Sequence, residues 1–184
     1  MRAAEAALLD AAAAGDEARV RELLAAGADP AGETVEGWTA LIRASAGGHA
    51  AVVAVLLAAG APPNPARANT HTALRAAALY GHASAAKQLL AARADPNTPS
   101  AGLRTPLMGA CFARTTEPGY DRAGTLDVAA LLLRARAAVD ARNDSGETAL
   151  ALAMARADVQ MAELLLAHGA ATATSEVSTL TGRR

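Results

Sequence analysis

Aromatic side chains are almost missing from this 184-residue chain, which has one Trp, two Tyr and one Phe. So few rings leave little for stacking on the bases of a nucleic acid. The basic excess that a DNA or RNA binder needs is also lacking, because 17 basic and 18 acidic side chains nearly cancel to a formal net charge of -1. A single cysteine, Cys111, cannot form an internal disulfide, so nothing marks an oxidising compartment. No apolar run approaches the roughly 18 residues of a membrane span. The longest, from Ala50 to Ala61, is mostly alanine. The N-terminal stretch carries Glu5 and Asp10, which suits neither a secretory nor a transit peptide. Lysine is scarce too, with Lys87 alone against 16 arginines.

What fills the chain instead is alanine. About 54 residues are Ala, more than half of a hydrophobic fraction of 52%. Alanine is the best helix former, and its single methyl group lets helices approach closely. Composition therefore predicts an all-α cytoplasmic protein with closely packed helices.

The helices are ordered by an internal repeat, the first thing to seek in such a chain. Thr39-Ala40-Leu41, Thr72-Ala73-Leu74, Thr105-Pro106-Leu107 and Thr148-Ala149-Leu150 stand 33, 33 and 43 residues apart. An alanine follows each threonine by five places: Ala44, Ala77, Ala110 and Ala153. Paired leucines recur as Leu56-Leu57, Leu89-Leu90, Leu132-Leu133 and Leu165-Leu166. Gly48 and Gly81 share the ninth place after the threonine, and Asn64, Asn97 and Asp140 share a place between units. Leu8, Ala11, Gly15, Leu23-Leu24 and Gly27-Ala28-Asp29 fit one more unit at the N-terminal end. Each unit holds two short apolar stretches, too short to be stable helices alone, so neighbours must bury one another's faces. The threonine suits the N-cap of the first helix, and the glycines suit the tight turns that end helices.

These residues resemble the ankyrin repeat. The match is carried by Gly37-Trp38-Thr39-Ala40-Leu41 with Gly48-His49, and by Thr72-Ala73-Leu74 with Tyr80-Gly81-His82 and Ala94-Asp95-Pro96-Asn97. The last unit adds Asp144-Ser145-Gly146-Glu147-Thr148-Ala149-Leu150 and His168-Gly169-Ala170. The resemblance implies an all-α ankyrin-repeat solenoid of about five helix-turn-helix units, joined by short β-hairpin-like loops, over 1–172. The units run roughly 2–34, 35–67, 68–100, 101–143 and 144–172, and 173–184 form a C-terminal tail. It also implies capping and linking roles for His49 and His82.

Several residues depart from the family pattern. The place of the family histidine after the threonine and leucine holds Ile42, Arg75, Met108 and Ala151. With that linking histidine missing, stability is expected to rest more on packing, and single units are expected to open locally. Thr70 and Leu103 stand where the hairpins otherwise have glycine, which puts those two turns in doubt. Arg93 and Arg136 replace the glycine that ends the second helix. Ten extra residues in the fourth unit, roughly Arg114 to Thr125, read as a polar loop with a Pro118-Gly119 turn. That loop suits either the binding face or a tolerated surface insertion. Leu164-Leu165-Leu166 looks like an internal helix, so Val177 and Leu180 of the tail, or a partner, are expected to cover it.

Catalytic chemistry is not evident. There is no glycine-rich phosphate loop. His49, His71, His82 and His168 lie in separate units without metal-ligand spacing. Cys111 has no base beside it in the repeat frame and reads as a buried, inert thiol. Neither metal nor cofactor is expected. The resemblance implies a monomeric, non-catalytic module that presents hairpin tips and first helices to a protein partner, with neither nucleic acid nor membrane involved. The residues it places on that surface are Trp38, Glu36, His71, Tyr80, Arg104, Phe112, Tyr120, Glu147 and Arg156. A regulatory or substrate-recruiting subunit of an enzyme complex is the alternative.

Overall fold

A threonine opens each of four first helices. In the computed structural model, which describes residues 3–64, 71–112 and 122–172, the hydroxyls of Thr39, Thr72, Thr105 and Thr148 accept the backbone N–H three residues on. Each cap satisfies one of the donors that a helix start leaves orphaned. Ten α-helices follow in pairs among the described residues: α1 (Ala3–Ala14) and α2 (Glu17–Ala25), α3 (Ala40–Ala46) and α4 (Ala50–Ala58), α5 (Ala73–Tyr80) and α6 (Ala83–Ala91), α7 (Pro106–Cys111) and α8 (Arg122–Arg134), α9 (Ala149–Ala155) and α10 (Val159–Ala167).

The odd-numbered helices contact one another in series, and so do the even-numbered ones, giving two stacked rows. The alanines five places after the capping residue lie at the contact, with Ala44, Ala77 and Ala153 fully buried. A larger side chain there would drive the rows apart. The first leucine of each pair is the other anchor: Leu56, Leu89, Leu132 and Leu165 expose none of their surface. Each such burial contributes roughly 1.5–3 kcal/mol. The second leucine is half-buried in the inner units, whereas Leu166 of the last unit is 45% exposed, alongside Met154 and Val159. Val177 and Leu180 lie outside the described residues, as does Thr70.

Between units the chain turns through hairpins rather than strands. Thr34, Ser100 and Asn143 each donate a backbone N–H to the carbonyl four residues on, those of Trp38, Arg104 and Glu147. Two isolated bridges, Glu33 with Thr39 and Ser100 with Arg104, are the only β pairing among the described residues. Arg122–Thr125, read from sequence as part of a loop, instead form the first turn of α8, with Gly124 and Thr125 buried. The polar composition of the insertion masked this extension. The rest of the insertion, with Tyr120, lies outside the described residues.

His49 and His82 link the units as the resemblance implies, but neither side chain caps the helix that follows it. His49 Nε2 lies 3.0 Å from the Ala13 carbonyl of the first unit, and His82 Nε2 lies 3.0 Å from the Ala46 carbonyl of the second. A carbonyl can only accept, so Nε2 donates in both. Asn64 bridges in the other direction: its amide donates to the Arg93 carbonyl at 3.1 Å and accepts from the Asp95 N–H at 2.8 Å. Asn97 repeats this with Arg136 and Ala138, and Asp140 accepts from the Ala171 N–H. In the fifth unit Asp158 takes the place of the histidine. It caps α10 through the Met161 N–H and receives both terminal nitrogens of Arg122, at 2.9 and 3.0 Å.

Among the described residues four non-glycines hold positive φ: Arg93 and Arg136 at 65°, Leu103 at 54° and Ala157 at 53°. Each occupies a repeat position where a sister unit has glycine with the same hand, such as Gly60, Gly37 and Gly48. The turn at Leu103 is therefore kept despite the missing glycine, with the left-handed conformation imposed by the stack. That conformation costs an L-residue roughly 1–2 kcal/mol, partly offset by the lower backbone entropy of the unfolded non-glycine chain. The paired substitution Arg93→Gly and Arg136→Gly is expected to stabilise the fold by about 1–2 kcal/mol in total. Thermal melting checks this, and a lowered Tm contradicts the strain.

Candidate functional site

The residue before each capping threonine forms one row of the stack: Trp38, His71, Arg104 and Glu147. The hairpins set it, because three of the four carry the carbonyl that closes a turn. Trp38 and His71 stack with ring centroids 4.1 Å apart and planes 20° apart. The guanidinium of Arg43, one helical turn into α3, lies 4.4 Å from the Trp38 ring centre, a cation–π geometry. Trp38 is half-buried against the core, so its ring is held between the fold, His71 and Arg43.

A groove of about 450 Å³ runs along this row and the first helices. Trp38, Arg43, His71, Arg75, Tyr80 and Arg104 supply its polar and aromatic wall, and Ile42, Ala76 and Leu79 its apolar floor. No Asp or Glu lines it among the described residues. Burial, then Arg75 and Arg43, hold the His71 imidazole below the usual histidine range.

Of the residues expected from sequence, Trp38, His71, Tyr80 and Arg104 come together on this groove. Phe112 and Arg156 extend the same side. The Arg156 guanidinium lies 4.2 Å from the Phe112 ring centre and that of Arg104 lies 5.9 Å away. Glu36 and Glu147 do not line the groove but stand exposed at hairpin tips. The Thr34 hydroxyl and the Glu36 backbone N–H hold the Glu36 carboxyl below the ordinary range, while the Asn143 amide donates to the Glu147 carboxylate at 2.9 Å. Sequence reasoning missed Arg43 and Arg75. Arg75 had a signal, since its place holds the apolar or small Ile42, Met108 and Ala151 in the other units.

Catalytic groups do not converge here. No cluster of three His, Cys, Asp or Glu side chains suited to a metal exists among the described residues. Cys111 is buried, and burial with the nearby Asp158 carboxylate pushes its thiol up to about 12.

A family model described as ankyrin repeats, in three copies, matches residues 8–100. The chain belongs to the ankyrin-repeat family. Its paired helices, threonine caps and hairpins continue the ankyrin architecture through Ala170. Ankyrin repeats are generally protein-interaction modules and are typically non-catalytic. No curated protein matches the chain. No described helix is long and apolar enough to cross a membrane.

Proposed function

We propose that this ankyrin-repeat chain is a non-catalytic module that binds a protein partner along the groove of hairpin tips and first helices. The observation that carries this is the gathering of scarce side chains. Two of the four aromatics in the sequence, Trp38 and Tyr80, line one groove with three arginines. Trp, Tyr and Arg are the residue types that most often dominate interface energetics, because each combines a large contact area with a directed polar group. The Trp38–His71 stack and the Arg43 contact hold these groups in place before binding, which lowers the entropy lost when a partner docks. Phe112 and Arg156 prolong the strip toward the fifth unit.

Affinity capture by the intact chain, followed by mass spectrometry, tests the reading. Trp38→Ala with Tyr80→Ala should lose at least about tenfold of the captured partner, the expected size of a hot-spot truncation. Lys87→Ala, exposed on α6 and away from the groove, should lose none. The helical circular dichroism should stay unchanged in both. A partner retained equally by the double variant contradicts the groove.

A further inference from the structure

The charge of the groove goes beyond a generic docking surface. Arg43, Arg75 and Arg104 come from three successive units and converge on one concavity, although the chain as a whole carries a net charge of -1. Cations collected on one face of a neutral chain select a partner of opposite sign. Arg43 is also prepared for this. A guanidinium laid against an indole is fixed in orientation while its N–H fork stays available to a planar bidentate acceptor. The carboxylates around the groove are engaged at its rim. Asn143 holds Glu147, the Thr34 hydroxyl and its own N–H engage Glu36, and the Ser145 hydroxyl donates to Asp144 at 3.5 Å.

Resting on the proposed function, we infer that the groove recognises an acidic peptide segment, whose Asp or Glu side chains meet Arg43, Arg75 and Arg104 in turn while apolar side chains settle on Ile42, Ala76 and Leu79. Neighbouring helices of a stack lie about 8–10 Å apart, and a peptide in the polyproline II conformation rises about 3.1 Å per residue and brings every third side chain to one face. Acidic side chains about three residues apart therefore reach successive units. A polyphosphate fits less well, since it has no apolar side chains to cover Ile42, Ala76 and Leu79 in the groove floor.

The test is selection of a random dodecapeptide phage library on the intact chain, followed by fluorescence anisotropy with the selected peptides. Arg43 and Arg104 are exposed, so Arg43→Gln and Arg104→Gln can be made without disturbing the core. The selected peptides should be enriched in Asp and Glu, spaced about three residues apart. Their affinity should fall at least about tenfold in the Arg43→Gln, Arg104→Gln double variant and fall steadily with added salt. Peptides of neutral composition that the glutamine pair leaves untouched, but that Trp38→Ala with Tyr80→Ala abolishes, overturn the acidic preference and leave the proposed function standing. No selected peptides, or peptides indifferent to all four substitutions, overturn both. A labelled single-stranded oligonucleotide that binds more tightly than the best peptide overturns the inference in favour of a nucleic acid.

Discussion

Gly48→Ala is expected to destabilise the fold by about 2–3 kcal/mol, far more than one methyl group on a turn would suggest. Two costs combine. Gly48 has φ +70°, which costs an L-residue roughly 1–2 kcal/mol. Its Cβ would also lie 2.5 Å from His82 Nδ1. The imidazole must then move and give up its bond to the Ala46 carbonyl, a further 0.5–1.5 kcal/mol or so. The two residues act as one device, so their effects should not add. In a double-mutant cycle, His82→Ala should cost clearly less in the Gly48→Ala background than in the native one. Chemical denaturation measures each corner, and strict additivity contradicts the coupling.

Asp158→Ala is the second large effect, with an expected loss of about 2–4 kcal/mol. The carboxylate does two jobs at the junction of the fourth and fifth units. It caps α10, worth about 0.5–2 kcal/mol, and it receives the bidentate Arg122. The Asp158 side chain is 7% exposed and that of Arg122 is 47% exposed. Arg122 can therefore return to water when its partner goes, and the full penalty of a stranded buried charge is not incurred. Asp158→Asn keeps an oxygen for the cap and should fall between the native chain and Asp158→Ala. Cys111, the only cysteine, is buried beside this junction. Its reaction with a thiol reagent in native buffer reports opening of that region, so Asp158→Ala should accelerate it. An unchanged rate together with an unchanged melting curve would remove Asp158 from the junction.

The fold was largely legible in the sequence because repetition turns weak local signals into phased ones. One Thr-Ala-Leu is no signal, but Thr39, Thr72, Thr105 and Thr148 in one frame locate the caps, and with them the helices, buried alanines and leucines. The frame also placed Trp38, His71, Tyr80 and Arg104 on a common side, since residues at like positions line up in a stack. What stayed hidden depends on reach from one unit to the next. Arg75 looked like the loss of a family histidine, although its charge stands out against Ile42, Met108 and Ala151 at the same place. The links from Asn64 and Asn97 run between residues about 30 to 40 apart, a separation at which no local propensity applies. Arg122 was assigned to a loop by its polar neighbours, yet the following helix extends back to include it.

The seating of His82 over Gly48, and of His49 over Gly15, also makes the units interchangeable in one direction only. Any unit that lacks a side chain at the ninth place can receive any unit that brings a histidine at the tenth. The second unit has both, so a tandem duplicate of it would dock onto its parent and offer the third unit an identical seat. The fifth unit cannot act as host in this way. Ala157 sets a methyl group where Gly15 and Gly48 leave room, and it keeps the same left-handed turn. Histidine seating thus runs in one direction, from the first unit to the second and from the second to the third, and Ala157 offers no such seat.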